Sequence, residues 1–110
     1  MKYKIEFGFG VGEDRDGNVI SIERHESALG AIRREAATLF GGYTLTRTEG
    51  GWRNPQGRLV EEPGYTLSVL TDYPGDFPQW PMIDMAGHIK RELSQEAVYV
   101  VVHQCSWEML

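Results

Sequence analysis

The chain has 110 residues, a length that fits one domain, residues 1–110, built around a single hydrophobic core. Hydrophobic residues make up 41% and charged residues 25%, an ordinary globular composition that excludes a fibrous or intrinsically disordered class. Sixteen acidic against eleven basic side chains give a formal charge of −5, which argues against direct binding of nucleic acid and of anionic membranes.

The cysteine content and the absence of apolar segments bear on the compartment. Cys105 is the only cysteine in the sequence, so no disulfide can form within the chain. No leader precedes Tyr3, and the longest apolar run, Ala97 to Val102, is far shorter than the ~20 residues of a membrane-spanning helix. We therefore expect a cytoplasmic protein with no membrane partner.

The first forty residues predict a strand, a loop and a helix. Apolar and polar residues alternate from Tyr3 to Phe9, which is typical of a strand with one buried face. Residues 10–18 are rich in glycine and acid and predict a loop, and the alternating glycines Gly8 to Gly12 indicate flexible backbone, not a phosphate-binding loop. Apolar residues then recur at helical spacing from the N-cap Ser21 to Phe40.

The middle of the chain predicts a hairpin. A β-rich segment runs from Tyr43 towards Trp52 or Arg53, and the sequence Asn-Pro-Gln-Gly at 54–57 is typical of a type I turn followed by a left-handed glycine. The returning strand starts at Leu59. We expect Pro63 and Gly64 to interrupt it with a bulge or bend.

The last third predicts a stiff connection, a helix and a final strand. Three prolines lie in residues 72–81, an amphipathic pattern covers 82–93, and an apolar strand covers 97–102. The order β-α-β-β-α-β predicts an α+β, ferredoxin-like fold, in which two helices cover one face of a four-stranded antiparallel sheet.

The two faces of this predicted sheet differ in polarity. Odd-numbered residues of the first three strands would face the helices, and the other face would be polar, with solvent as its expected cover and a ligand or partner as the alternative. That polar face carries Lys4, Glu6, Thr44, Thr46, Thr66 and Ser68. The final strand is apolar on both sides, which predicts a second cover, either Trp107 with the tail or a second subunit.

Three segments carry a family resemblance: "GGWRNPQGRLVEEP", "YTLSVL" and "IKRELSQEAVYVV". They resemble a family of small uncharacterised bacterial domains, in which a Gly-x-Trp hairpin leads into an apolar strand and a basic helix end leads into Gln-Glu-x-Val. The resemblance implies the same strand order and implies no activity. The matching positions are Gly50, Trp52, Gly57, Glu61 or Glu62, Lys90, Arg91, Gln95, Glu96 and Val98.

The hairpin is the candidate ligand or partner site, formed by Trp52, Arg53, Arg58, Glu61 and Glu62. One interpretation is a hairpin stabilised by cross-strand charge pairs. The alternative is an arginine fork for a carboxylate or phosphate, with the tryptophan as a stacking platform. The two adjacent glutamates point to opposite faces of a strand, which argues against a glycosidase pair.

The metal and cofactor patterns are incomplete. Asp14, Asp16 and Asn18 begin a calcium-loop pattern, but Val19 and His25 stand where a glycine and a bidentate glutamate are required. His103 and Cys105 share one face of the last strand, and two ligands do not make a zinc site. We therefore expect no metal and no cofactor, and we assign no catalytic residue.

The aromatic residues near the end of the chain predict an interaction surface. Trp80, Tyr99, His103 and Trp107 are the candidate interface of a homodimer or of a complex with a protein partner. The sequence therefore favours a small, non-enzymatic binding or protein-interaction module.

Two alternative functions stay open. The first is an acidic inhibitor of the phage or mobile-element type, which blocks the nucleic-acid-binding surface of a host protein. The second is a small enzyme or sensor that acts on a polar anionic ligand at the hairpin.

Overall fold

A computed structural model describes residues 1–75 and 78–110 of the chain; residues 76 and 77, within the proline-rich connection, lie outside the described residues. The elements in chain order are β1 (Lys2–Gly10), α1 (Ile22–Phe40), β2 (Thr44–Arg53), β3 (Leu59–Asp72), α2 (Gln79–Leu93) and β4 (Tyr99–Gln104). The strands pair antiparallel in the order β2-β3-β1-β4. The predicted ferredoxin-like fold is confirmed.

The core forms where the apolar face of β1 meets the helices. The odd-numbered residues of β1 are buried, and the register sets Ile5 opposite Val69 and Phe7 opposite Leu67. Ile32 of α1 and Ile89 of α2 are fully buried on top of these strands. Burying one such side chain contributes roughly 1.5–3 kcal/mol, so this face fixes which side of the sheet the helices cover.

The helix ends follow local sequence signals. Ser21 caps α1, since its hydroxyl accepts a hydrogen bond from the Arg24 amide at 3.2 Å, and Gly41 ends the helix at a positive φ of 80°. α2 begins at Gln79, three residues before the predicted start at Met82. No helix among the described residues is long and apolar enough to cross a bilayer.

The predicted interruption of the returning strand by a bulge or bend at Pro63 and Gly64 is wrong, because β3 runs unbroken through both residues. Residues of β2 and β3 pair one to one through this region, with Thr48 opposite Gly64. The Pro63 carbonyl accepts a hydrogen bond from the Val11 amide at 2.9 Å. Because the N–H and C=O of one strand residue point to the same side, the N–H that Pro63 lacks would point towards Val11, beyond the end of β1. The strand therefore tolerates this proline without losing a ladder hydrogen bond.

The predicted cover of the last strand by the tail is also wrong. β4 starts at Tyr99, two residues after the predicted start, and Tyr99 is 70% exposed on the face away from the helices. Trp107 lies instead against Lys2, whose Nζ is 4.8 Å from the centre of the indole ring. The alternative cover, a second subunit, stays a prediction.

Candidate functional site

The face of the sheet away from the helices, here called the open face, carries two adjoining rows of small and polar residues. In one row Gly8 of β1 stands opposite both Thr66 of β3 and Tyr99 of β4. In the next row Gly10 stands opposite Gly64. Three of these positions lack a side chain, so the open face has a low floor at this end.

A groove with a volume of about 960 Å³ lies above this floor. Trp52 and Thr48 line it from β2, and Glu96 and Tyr99 line it from the segment that leads into β4. The loop between β1 and α1 forms a third side. Four segments that are distant in sequence thus meet around one cavity, as expected of a ligand site.

Tyr99 depends on the glycine beneath it. A Cβ added at Gly8 would lie 3.3 Å from Cδ1 of Tyr99, which is tighter than nine in ten real Cβ contacts. The Cβ and Cδ1 atoms of Tyr99 therefore lie beside the space that a side chain at position 8 would occupy. Because Tyr99 is 70% exposed, its ring offers a planar surface on which a flat ligand can stack.

Glu62 reaches into the groove over two glycines. A Cβ added at Gly10 would lie within 2.7 Å of both carboxylate oxygens of Glu62, and one added at Gly12 would lie 3.2 Å from Oε2. The carboxylate occupies space that a side chain at either position would fill. The alternating glycines that predicted flexible backbone thus make room for an acidic side chain.

The lining of the groove is strongly acidic. Arg15 is the only basic residue among the described residues of the lining, against five acidic ones. A cleft with an excess of one charge sign concentrates ligands of the opposite sign. The groove therefore suits a cationic ligand. The acidic residues are Glu13, Asp14, Glu49, Glu62 and Glu96.

The loop beside the groove is held in place by Asp14. Its Oδ1 accepts hydrogen bonds from the amides of Asp16 at 2.9 Å and Asn18 at 3.0 Å, and its Oδ2 lies 3.7 Å from Nη1 of Arg24. The hydrogen bond from the Asn18 amide is the largest cause that lowers the pKa of the Asp14 carboxyl below its usual range. The loop is therefore ordered by a charged carboxylate at neutral pH.

The same loop is fastened to the end of α2. The Arg15 amide donates to the Ser94 carbonyl at 2.8 Å, and Nε2 of Gln95 donates to the Glu13 carbonyl at 2.8 Å. Arg24 also hydrogen-bonds the Ser94 hydroxyl. These bonds join the loop to the residues immediately before Glu96, so the two sides of the groove are fixed relative to each other.

The hairpin residues predicted as a site separate in the structure. Trp52 and Glu62 line the groove, whereas Arg53, Arg58 and Glu61 do not. Nη1 of Arg53 donates to the Gly57 carbonyl at 2.7 Å, and Glu61 lines a smaller cavity of about 500 Å³ beside the groove. In the described part of the chain, no ion pair joins the hairpin arginines to the two glutamates.

The four predicted interface residues lie on different parts of the fold, and Tyr99 and His103 share the open face of β4. Trp80 lies at the start of α2 and is 67% exposed, whereas Tyr99 lines the groove. Nε2 of His103 lies 3.7 Å from Oε1 of Glu6 on the open face. Trp107 lies at the start of β1 beside Lys2.

Sequence reasoning missed three groups of residues that form the groove. Gly8 and Gly10 carried a usable signal, because glycines two apart at the end of a strand leave one face of the sheet bare. Asp14 carried the signal of a side chain that caps its own loop. Glu96 gave no signal, because only the packing of the loop against α2 brings it to the groove.

The described residues contain no cluster of side chains that could bind a metal ion. Within residues 1–75 and 78–110, no three His, Cys, Asp or Glu side chains gather as a metal site would require. The acidic loop residues Asp14 and Asp16 bind backbone amides or face solvent.

Comparison with known proteins gives a fold and no family. No protein-family model and no curated protein matches the chain. Among solved structures, a phage SAM lyase in complex with S-methyl-5'-thioadenosine is similar, with a TM-score of 0.66 and 16% identity over 94% of this chain and 81% of that one. These likenesses establish the fold.

A second group of similar structures consists of divalent cation tolerance proteins. The periplasmic CutA of Archaeoglobus fulgidus has a TM-score of 0.60 at 10% identity, covering 99% of this chain and 88% of that one. The Thermus thermophilus protein has a TM-score of 0.59 at 14% identity, covering 99% of this chain and 88% of that one. The fold is thus shared by proteins with different described roles, so function must be argued from the groove.

Proposed function

We propose that the groove binds S-adenosylmethionine (SAM) and that the protein is a lyase that releases S-methyl-5'-thioadenosine from it. The observation that carries the proposal is the acidic lining of a groove with a flat aromatic side, five acidic residues against one arginine. The likeness to a phage SAM lyase that holds S-methyl-5'-thioadenosine supports the choice of ligand among cations.

The sulfonium centre of SAM fits the charge of the groove. SAM carries a fixed positive charge on sulfur and a second one on its amino group, so it has a net positive charge despite its carboxylate. Glu62, placed over Gly10, and Glu96, beside Tyr99, supply the opposite charge from two sides. An anionic ligand, as expected from the hairpin arginines, would meet repulsion in this groove.

The nucleoside end of SAM fits the aromatic side of the groove. Tyr99 is 70% exposed and Trp52 is 52% exposed, and both line the cavity. Stacking of a base on an aromatic side chain is worth roughly 1–3 kcal/mol. The hydroxyls of Thr48 and Thr66, also in the lining, are available as hydrogen-bond partners for the ribose or adenine.

The bond that breaks follows from the product. S-methyl-5'-thioadenosine keeps the methyl and adenosyl groups on sulfur, so the bond from sulfur to the four-carbon amino-acid chain is cleaved. Its electron pair stays on sulfur, which becomes a neutral thioether. The carbon that leaves sulfur regains its fourth bond in one of two ways. Either an oxygen of the fragment's own carboxylate bonds to it and closes a ring, or the neighbouring carbon loses a proton and a double bond forms. Neither route consumes water.

The acidic lining acts mainly on binding. Positive charge disappears from sulfur during cleavage, so carboxylates near it stabilise the substrate at least as much as the transition state. Acceleration in this groove must therefore come from holding the substrate in a reactive conformation. The ordered loop and the glycine floor are the parts of the structure that supply such a fixed shape.

The experiment is to incubate the purified protein with SAM and to measure S-methyl-5'-thioadenosine by liquid chromatography and mass spectrometry. We expect the wild type to form product faster than SAM decomposes spontaneously. Glu62→Gln should lower kcat/KM by at least about tenfold, which corresponds to about 1.4 kcal/mol of transition-state stabilisation. The matched control is Arg58→Gln, which alters an exposed hairpin charge outside the groove. Product formation at the spontaneous rate would contradict the proposal.

We also propose that the protein self-associates. β2 is an edge strand of ten residues with nearly every residue exposed, and its unpaired backbone groups are a template for pairing with another chain. Light scattering tests this, with an oligomer expected and a monomer at all concentrations contradicting it. The interaction module, the acidic inhibitor and the cytoplasmic location stay predictions from the sequence.

A further inference from the structure

We propose that Arg15 binds the carboxylate of the amino-acid part of the ligand and so selects ligands that carry one. This inference rests on the proposed function, because it assigns a partner for one end of SAM in the same groove. Arg15 stands out because it is the only basic residue among the described residues of an otherwise acidic lining.

Arg15 is a minor partner of its acidic neighbour Asp14, because its charge is the smallest of the causes that lower the pKa of that carboxyl. The carboxylate of Asp14, next in sequence, already accepts two backbone amides and lies 3.7 Å from the guanidinium of Arg24. Among the described residues, the Arg15 side chain makes no hydrogen bond and no ion pair within 4 Å. Its donors are therefore available to a ligand.

The backbone of Arg15 is held in place by hydrogen bonds. Its amide donates to the Ser94 carbonyl at 2.8 Å, and the loop on either side is closed by the bonds from Asp14 to Asn18 and from Gly17 to Asp14. A fixed backbone lowers the entropy lost when a long side chain binds. The loop thus presents one guanidinium to the groove from a defined position.

The charges of the groove match those of the ligand. SAM has two positive groups and one negative group, and the groove has an excess of carboxylates and a single guanidinium. A guanidinium binds a carboxylate through two parallel hydrogen bonds, a geometry that lysine cannot reproduce. The assignment therefore predicts that both the charge and the shape of Arg15 matter.

The test uses two stable thioethers that differ only in the carboxylate: S-adenosylhomocysteine and its decarboxylated form. Affinities are measured by calorimetry for the wild type, Arg15→Gln and Arg15→Lys. S-methyl-5'-thioadenosine, which lacks the whole amino-acid part, serves as the reference ligand for each protein. Arg58→Gln is the matched control, since it removes the same charge from a residue outside the groove.

We expect the wild type to prefer S-adenosylhomocysteine over the decarboxylated form by about tenfold, the size of a partly solvated charged pair. Arg15→Gln should abolish this preference, Arg15→Lys should keep part of it, and the affinity for S-methyl-5'-thioadenosine should stay the same in all variants. If S-methyl-5'-thioadenosine binds but the preference is absent or survives in Arg15→Gln, the Arg15 assignment is overturned and the proposed function stands. If none of the three ligands binds the wild type, both are overturned.

Discussion

The carboxylate of Glu62 lies over the backbone of Gly10, in the space where any other residue at position 10 would place its Cβ. The two residues belong to neighbouring strands and share the open face of the sheet. The acidic character of the groove thus depends on a glycine as much as on the glutamate.

Gly10→Ala should separate stability from function. The obstructing atoms belong to the end of a flexible side chain, so Glu62 can move aside at little cost to folding. We expect the melting temperature to change by less than about 4 °C, corresponding to under roughly 1 kcal/mol. We also expect kcat/KM for SAM to fall about tenfold. Gly42→Ala, at a position where an added Cβ meets nothing within 4 Å, is the control. Unchanged activity in Gly10→Ala would show that the position of Glu62 is irrelevant.

Gly64→Ala should destabilise the fold. A Cβ at Gly64 would lie 2.5 Å from the carbonyl oxygen of Phe9, which is backbone of the neighbouring strand and cannot move independently. We expect a loss of roughly 1–3 kcal/mol in the free energy of unfolding, measured by urea titration. Gly50→Ala, in the adjoining strand with open space around its Cα, should cost less. Equal stabilities of the two variants would contradict the close approach of β1 and β3.

Tyr99→Ala tests the stacking surface. Removing the ring over Gly8 should weaken binding of S-methyl-5'-thioadenosine about tenfold, equivalent to about 1.4 kcal/mol. Tyr43→Ala is the control, because Tyr43 is also exposed and does not line the groove. Calorimetry that finds the same weakening in both variants would remove Tyr99 from the site.

Asp14→Asn should reveal a pH-dependent contribution to stability. The folded protein lowers the pKa of Asp14 below its usual value of 3.8, so its charged form favours folding at pH values above 3.8. The contribution should shrink as the pH falls below 3.8, through the lowered pKa, because the carboxyl is then protonated in both states. Urea titrations at pH 7 and at pH values below 3.8 should therefore show a destabilised Asp14→Asn protein only at the higher pH.

Asp84→Asn, on the exposed side of α2, is the control for this measurement. We expect it to stay close to the wild type throughout. A difference between wild type and Asp14→Asn that persists unchanged into acid would contradict the role of the charged carboxylate in ordering the loop.

The fold was predictable because its signals are periodic. Alternation in β1 and helical spacing in α1 and α2 reflect burial of one face, which the sequence displays directly. The regular pairing of β3 at Pro63 was not predictable, because periodicity does not tell to which side of the strand the N–H that proline lacks would have pointed. The predicted cover of β4 by the tail was wrong for a similar reason, because apolar residues on two faces of a strand do not reveal what lies over them.

The candidate site was predictable only in part. Trp52 and Glu62 stood out in the hairpin, but Arg53, next to Trp52 in sequence, binds the turn and takes no part in the groove. Arg15 and Glu96 reach the groove because hydrogen bonds join the loop to the end of α2. Such long-range contacts leave no local pattern in the sequence.

Binding of an adenosyl thioether or sulfonium in the open-face groove can be measured residue by residue with NMR. Amide chemical shifts are followed while S-methyl-5'-thioadenosine is titrated into the labelled protein. We expect saturable shifts at Gly8, Gly10, Glu62 and Tyr99, with the turn at residues 54–57 unaffected. Shifts confined to that turn, or no saturable shift at any position, would contradict binding in the groove.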